Sequence, residues 1–253
     1  MGNKSSRPVD DFAELIHNGR TPPGEPEQTY SKERIEEGLK VVAKYLASKK
    51  LDVAIVTVGG AVNTVLLKSR TSTGDVDFFY RTKASGPKES NLVHEVVEGG
   101  KLAEKELKLG SQWLNNHTVV FIEVLSSPKT SSSPNLGCIT QEHIIHDLYD
   151  EAVAQNEKVF AAKGLTVYAA PWNYALMAKL DRAGKPGAKL YDITDAVDYL
   201  DRLIKSRHGH AVKKSELKAW AAKYKLAAPT DALIDKLGKQ YKEKHRKDGV
   251  VDG

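Results

Sequence analysis

The sequence predicts an α+β fold: a small mixed β-sheet with flanking helices, followed by an all-helical C-terminal domain. Three observations carry this. Short apolar, β-branched runs alternate with helix-periodic segments over the first two thirds of the chain. Beyond Pro171 every apolar periodicity is helical. The 253 residues, 40% of them apolar and 28% charged, suit one large or two small units that bury a real core.

Taken in order, residues 1–30 contain Pro8, Pro22, Pro23 and Pro26 and one short apolar turn, Phe12 to Ile16, and read as a flexible N-terminal tail. Ser31 is placed to cap a helix whose Ile35, Leu39, Val42 and Leu46 share one face. Residues 51–58 read as a buried strand, broken by Gly59-Gly60. A short helix over 61–68 packs through Val62, Val65 and Leu66. A second strand covers 75–80, and 88–109 is helical with Gly99-Gly100 as a candidate break. A third strand over 118–125, a Ser/Pro-rich loop over 126–135, a helix over 141–158 and a short strand over 165–169 follow. The change of character near 160–170 divides a core of 31–165 from a helical domain of 166–253. Pro171 suits a first helical position, and helices are expected at 171–183, 192–205, 213–225 and 229–246.

The chemistry concentrates between Val58 and Phe79. A strand ends in Gly59-Gly60 and runs into a helix, where glycine lets backbone approach a ligand and free N–H groups face a phosphate. Asp75-Val76-Asp77 follows, and residues two apart on a strand point to one face, about 7 Å apart at their Cα atoms. Two carboxylates so close repel unless a cation lies between them, and hard oxygen ligands with room for substrate phosphates suit Mg²⁺. Glu123, central in the third strand, joins them in a two-metal site if that strand lies alongside.

The order of these elements resembles the nucleotidyltransferase superfamily that shares the fold of DNA polymerase beta. Its signature is a hydrophobic residue, Gly-Gly or Gly-Ser, a spacer, Asp-hydrophobic-Asp, and a third acid on a later strand. The branch of abortive-infection-type toxin nucleotidyltransferases is the most similar. It often carries Arg-x-Thr-x-Asp-hydrophobic-Asp, against which the run from Arg70 to Asp77 is one residue longer. A second similar block is the helix from Pro171 to Ala183 with the following Tyr191-to-Leu200 segment. The resemblance implies transfer of a nucleoside monophosphate from an NTP to an acceptor hydroxyl on RNA, protein or a small molecule. Asp75, Asp77 and Glu123 would hold Mg²⁺ or Mn²⁺, and Lys179 would contact the nucleotide phosphates. Gly59, Gly60, Arg70, Ser72, Asp192 and Asp195 would complete the nucleotide site. Glu123 stands where Asp is commoner.

Charge and composition bound the partners. Net charge is +5, but 13 Lys/Arg against 4 Asp/Glu between Lys205 and Lys247 make that stretch +9 and leave about −4 elsewhere. Trp220, Tyr224 and Tyr241 interleave with these cations, so region 205–247 is a candidate RNA-binding surface; a solvated face is the alternative. The single cysteine, Cys138, excludes a disulfide framework and fits a reducing, cytoplasmic setting. His143 with His146, and His208 with His210, lack the further ligands of a zinc site. No apolar run reaches the roughly 18 residues of a membrane span. Gly2 and Ser6 fit the N-myristoylation pattern, which in a eukaryotic host would give weak, reversible membrane association. Two other functions suit parts of the pattern. A metal-dependent glycosyltransferase uses Asp-x-Asp but needs about 100 ordered residues before it. A non-catalytic nucleic-acid or partner-binding module on the same fold needs no third acid.

Overall fold

The computed structural model describes residues 28–80, 87–116 and 141–252. The expected strand over 118–125 with Glu123, and the N-terminal segment with Gly2, lie outside them.

The described chain opens with β1 (Tyr30–Ser31) and α1 (Lys32–Ser48). Ser31 caps α1 through its side chain, which accepts from the Arg34 N–H, and Ile35, Leu39, Val42 and Leu46 are its buried face. Then come β2 (Val53–Val58), a π-helix (Val62–Leu67), β3 (Ser72–Thr73), β4 (Val76–Phe79), α2 (Pro87–Leu107) and β5 (Leu114–Asn115). After α3 (Gln141–Gln155) follow β6 (Lys158–Ala162) and β7 (Leu165–Ala169). The C-terminal part comprises α4 (Trp172–Ala183), α5 (Leu190–Ser206), β8 (Val212–Lys213), α6 (Lys214–Lys223), α7 (Asp231–His245) and β9 (Val250–Val251).

Five strands form one mixed sheet in the order β5-β4-β2-β7-β6. β2 pairs antiparallel with β4 and parallel with β7, and β4 pairs parallel with β5. Tyr30, the last residue expected in the tail, is buried and paired with Thr73 of β3; its hydroxyl accepts from the Gly110 N–H at 2.7 Å. Ile55, Phe78, Phe79 and Leu165 are fully buried, as are Leu39 and Leu46 of α1 and Leu176 and Leu200 of α4 and α5. Each such side chain contributes about 1.5–3 kcal/mol to folding.

Three sequence expectations change. Gly99-Gly100 does not interrupt α2. A Cβ on Gly99 would lie 3.0 Å from Val42, and the Gly100 carbonyl accepts from the Trp113 indole N–H at 3.0 Å, so the pair lets α2 lie close on α1. The helix expected to reach 158 stops at Gln155, because Asn156 turns left-handed (φ +55°), and the chain then builds the β6–β7 hairpin. The C-terminal part is not purely helical, since β8 and β9 pair in parallel (Val212 with Val250). Gly249 makes this possible: a Cβ there would collide with the Tyr241 ring over which the chain passes.

Gly164 is the tightest point of the sheet. It sits at φ +98°, and a Cβ there would strike the Ala43 carbonyl and lie 2.7 Å from the Ala47 nitrogen of α1. Gly187 has a similar φ of +82° but open space around it. Gly164→Ala should therefore destabilise the protein by about 2 kcal/mol or more, against about 1 kcal/mol for Gly187→Ala, as read by urea denaturation. Equal costs would mean that the backbone approach does not constrain the fold.

Candidate active site

β2 delivers the Gly59-Gly60 turn to one end of the sheet. Gly59 adopts φ +81° with open space where a side chain would be, and a Cβ on Gly60 would fall on the Thr73 hydroxyl. The Tyr199 hydroxyl, from α5, lies 3.0 Å from the Gly59 carbonyl and 2.5 Å from Asn63 Oδ1, so one buried phenol holds the turn and the π-helix together.

β4 brings the acids to this turn. Asp77 is directly opposite Val58, the residue before Gly59, and pairs on its other side with Asn115 of β5. Asp75 precedes the strand by one residue and accepts from the Asn115 amide at 3.3 Å. Both acids thus face the Asn115 amide, beside the strand pair that ends at Gly59-Gly60. Burial pushes the Asp77 carboxyl up to about 7, and the neighbouring Asp75 charge pushes in the same direction; the Asn115 hydrogen bond and the charges of Arg182 and Lys179 oppose it. Among the described residues no three acids or histidines form a metal cluster. A carboxylate whose charge is disfavoured until a cation arrives, with a second one beside it, does fit Mg²⁺, which takes one or two carboxylates and completes its shell with water and phosphate.

The second half of the site is a charged cluster between α4 and α5. Lys179 is 4% exposed, with Nζ 3.2 Å from Asp192 and 2.8 Å from Asp195, both themselves buried. Arg182, one turn along α4, approaches Asp192 at 3.7 Å. Asp192 also caps α5 by accepting from the Lys189 N–H at 2.9 Å. Arg70, from the loop before β3, binds Asp195 in bidentate fashion, Nε donating at 2.9 Å and Nη2 to the second oxygen. Tyr191 lies over the Arg70 guanidinium, 3.8 Å from ring centroid to carbon.

The structure therefore brings together Gly59, Gly60, Asp75 and Asp77, and separately Arg70, Lys179, Asp192 and Asp195, with Lys179 acting on Asp77 through its charge. Ser72 lies in the β1–β3 ladder opposite Ser31. Four site residues escaped the sequence reading: Asn115, Arg182, Tyr191 and Tyr199. Only Arg182 left a signal, its i,i+3 spacing from Lys179 on a helix.

The basic C-terminal stretch loses much of its sequence argument. Among the described residues, seven of its 13 cations pair with acids: Lys205, Arg207, Lys214, Lys218, Lys223, Lys242 and Lys244. Several of those acids, including Glu151, Asp198 and Asp201, come from outside the stretch. Tyr224 and Tyr241, expected to stack on bases, are core residues with no exposed ring face to offer. No helix among the described residues is long and apolar enough to cross a membrane.

The chain belongs to the family described as a domain of unknown function, DUF7582, whose sequence pattern matches residues 28–248. That span takes in both the sheet and the helices that carry the site. Neither a curated protein nor a solved structure matches the chain.

Two stability measurements separate the halves of the site. Between the ordinary carboxyl range near 4 and about 7, the folded state keeps a proton on Asp77 that the unfolded chain has lost, so stability falls as pH rises through that window. Asp77→Asn should match the parent near pH 4 and exceed it by up to about 4 kcal/mol above pH 7. A pH-independent difference would mean that Asp77 titrates normally. Lys179→Met, by contrast, removes the buried ammonium that two buried carboxylates share and should cost about 3 kcal/mol at pH 7. A loss under about 1 kcal/mol would reduce the cluster to solvated ion pairs.

Proposed function

We propose that this protein is a metal-dependent nucleotidyltransferase that moves a nucleoside monophosphate from an NTP to an acceptor hydroxyl. The observation that carries it is the convergence of Asp75 and Asp77 on the Gly59-Gly60 turn, with Lys179 and Arg182 close enough for their charges to act on Asp77. The acceptor oxygen attacks the α-phosphorus, the bond to the bridging oxygen breaks, pyrophosphate leaves, and the hydroxyl proton is lost to solvent. Mg²⁺ or Mn²⁺, held by Asp75, Asp77 and Glu123, would lower the acceptor's pKa and offset triphosphate charge. The chain's own residues position the reactants. Gly59 and Gly60 leave room for phosphate oxygens against backbone. Arg182, more than half of whose side chain is exposed, is the cation best placed to meet the triphosphate. Lys179 acts from behind it as a fixed positive charge, because its ammonium is already taken by Asp192 and Asp195.

For the acceptor, the exposed Lys236, Lys239, Arg246 and Lys247 along and after α7, with Lys213 and Lys225, are the cations left to contact an RNA backbone. A second reading, a nucleotide- or partner-binding module without catalysis, is favoured by one specific feature: the side chain that β5 places beside the acids is the amide of Asn115.

Calorimetric titration of each NTP with Mg²⁺ should show binding that Asp75→Ala plus Asp77→Ala reduces by at least about a hundredfold. Glu123→Gln should abolish transfer of α-labelled phosphate to an RNA pool while leaving NTP binding within about tenfold. NTP binding by the parent without pyrophosphate release would select the non-catalytic module. Equal binding by the double variant would remove the acids from the site.

A further inference from the structure

Tyr191 is the site residue that the proposed chemistry leaves unused. Its side chain is 40% exposed and the adjacent Leu190 is 96% exposed, so the first turn of α5 holds two large apolar groups in water beside a charged cluster. Isolated surface apolar residues need no explanation, but this ring stands on a built support. The Arg70 guanidinium lies 3.8 Å from the ring centroid and the Lys179 ammonium 5.4 Å from it. Arg70 is pinned by its bidentate pair with Asp195, and Asp195 is pinned in turn by Lys179 at 2.8 Å. A cation held by successive buried contacts therefore backs the ring of a residue that is exposed to solvent.

A fixed aromatic ring backed by a guanidinium is the arrangement on which a nucleobase stacks, since every base offers a π face and a preoriented tyrosine loses little freedom on contact. Its place in the fold favours that occupant. Lys179 touches the cluster under Tyr191 and also acts on Asp77, so one residue links the aromatic platform to the acid pair. Arg182, on the same helix and more than half exposed, approaches Asp192 beside Tyr191, and its charge also acts on Asp77.

We propose that Tyr191, edged by Leu190, is the base-binding platform of the nucleotide site, a proposal that rests on the nucleotidyltransferase reading. The base of the incoming NTP stacks on the exposed part of the ring while its triphosphate runs toward Arg182 and the acids. Stacking reads ring area and not the hydrogen-bonding edge, so the platform prefers purine to pyrimidine triphosphates and distinguishes adenine poorly from guanine.

The test compares ATP, GTP and CTP with inorganic tripolyphosphate, which carries the phosphates without a base, by calorimetry in Mg²⁺. The parent should bind ATP and GTP about tenfold more tightly than tripolyphosphate, with CTP in between. Tyr191→Ala should bring ATP down to the tripolyphosphate level and leave tripolyphosphate itself unchanged. Tyr191→Trp should keep the preference and report ATP through quenching of the new indole. Tyr191→Leu keeps the apolar bulk without the π face and gives the same discrimination as Tyr191→Ala if the latter does not fold. An ATP advantage that survives both Tyr191→Ala and Tyr191→Leu would overturn the platform while tripolyphosphate binding still upholds the acid site. A parent that binds neither ATP nor tripolyphosphate would overturn platform and nucleotidyltransferase together.

Discussion

The buried ion cluster centred on Lys179 is the interaction on which the rest of the site depends. Taking an ammonium out of water costs several kcal/mol, and Lys179 has almost no exposure with which to recover it. Asp192 and Asp195 offset that cost from the facing helix, which fixes how α4 and α5 sit against each other. Asp195 spends its remaining capacity on Arg70, so the same contact reaches into the loop that leads to β3 and β4. Helix packing and the path of the chain into β4 are thereby joined through one carboxylate. The alternative, an apolar residue in place of each charge, would pack with less penalty but would leave Asp77 without the positive charges that temper its burial.

Electrostatic tension of the opposite kind marks the acid pair. Asp77 is half-buried next to Asp75, an arrangement that works against the folded state at neutral pH. The sheet imposes it. Residues two apart along a strand share a face in every register, so β4, held between Val58 and Asn115 with Phe78 and Phe79 buried on its two faces, keeps the acids together. Stability of the hydrophobic sheet thus keeps an unfavourable charge pair in place.

The parts of this molecule that were legible in the sequence are those with a period. The four C-terminal helices fall within three residues of their expected ends, since an apolar stripe at 3.6-residue spacing is a strong signal. The Gly59-Gly60 break and the parity of Asp75 and Asp77 were also readable, because each is a local rule. Of the β6–β7 hairpin, β7 was readable at its observed bounds but β6 was not, as Val159 and Phe160 continue the apolar pattern of α3 and only Lys163-Gly164 marks the turn. Partnership is what a linear sequence hides most. Lys179, Asp192 and Asp195 were each picked out as nucleotide-site residues, but that the two acids occupy the lysine follows only from the packing of α4 on α5. The +9 stretch is the same lesson in reverse. Its charge is local along the chain and dispersed in space, where acids such as Glu151 and Asp198 fold back onto it.

The π-helix at Val62–Leu67 carries a consequence for how this chain can vary. Its wide turn ends on the Asn63 carbonyl, which receives the N–H groups of Lys68, Ser69 and Arg70 at once. The Asn63 side chain meanwhile holds Ser69 and Tyr199. Removing one residue from this turn would restore ordinary helical winding and rotate everything after it by about 100°. Arg70 would then leave Asp195, and Tyr191 would lose the support beneath it. Within these six positions, divergence is therefore far more tolerable as a change of side chain than as a single-residue insertion or deletion, and length here is the more faithful mark of a working relative.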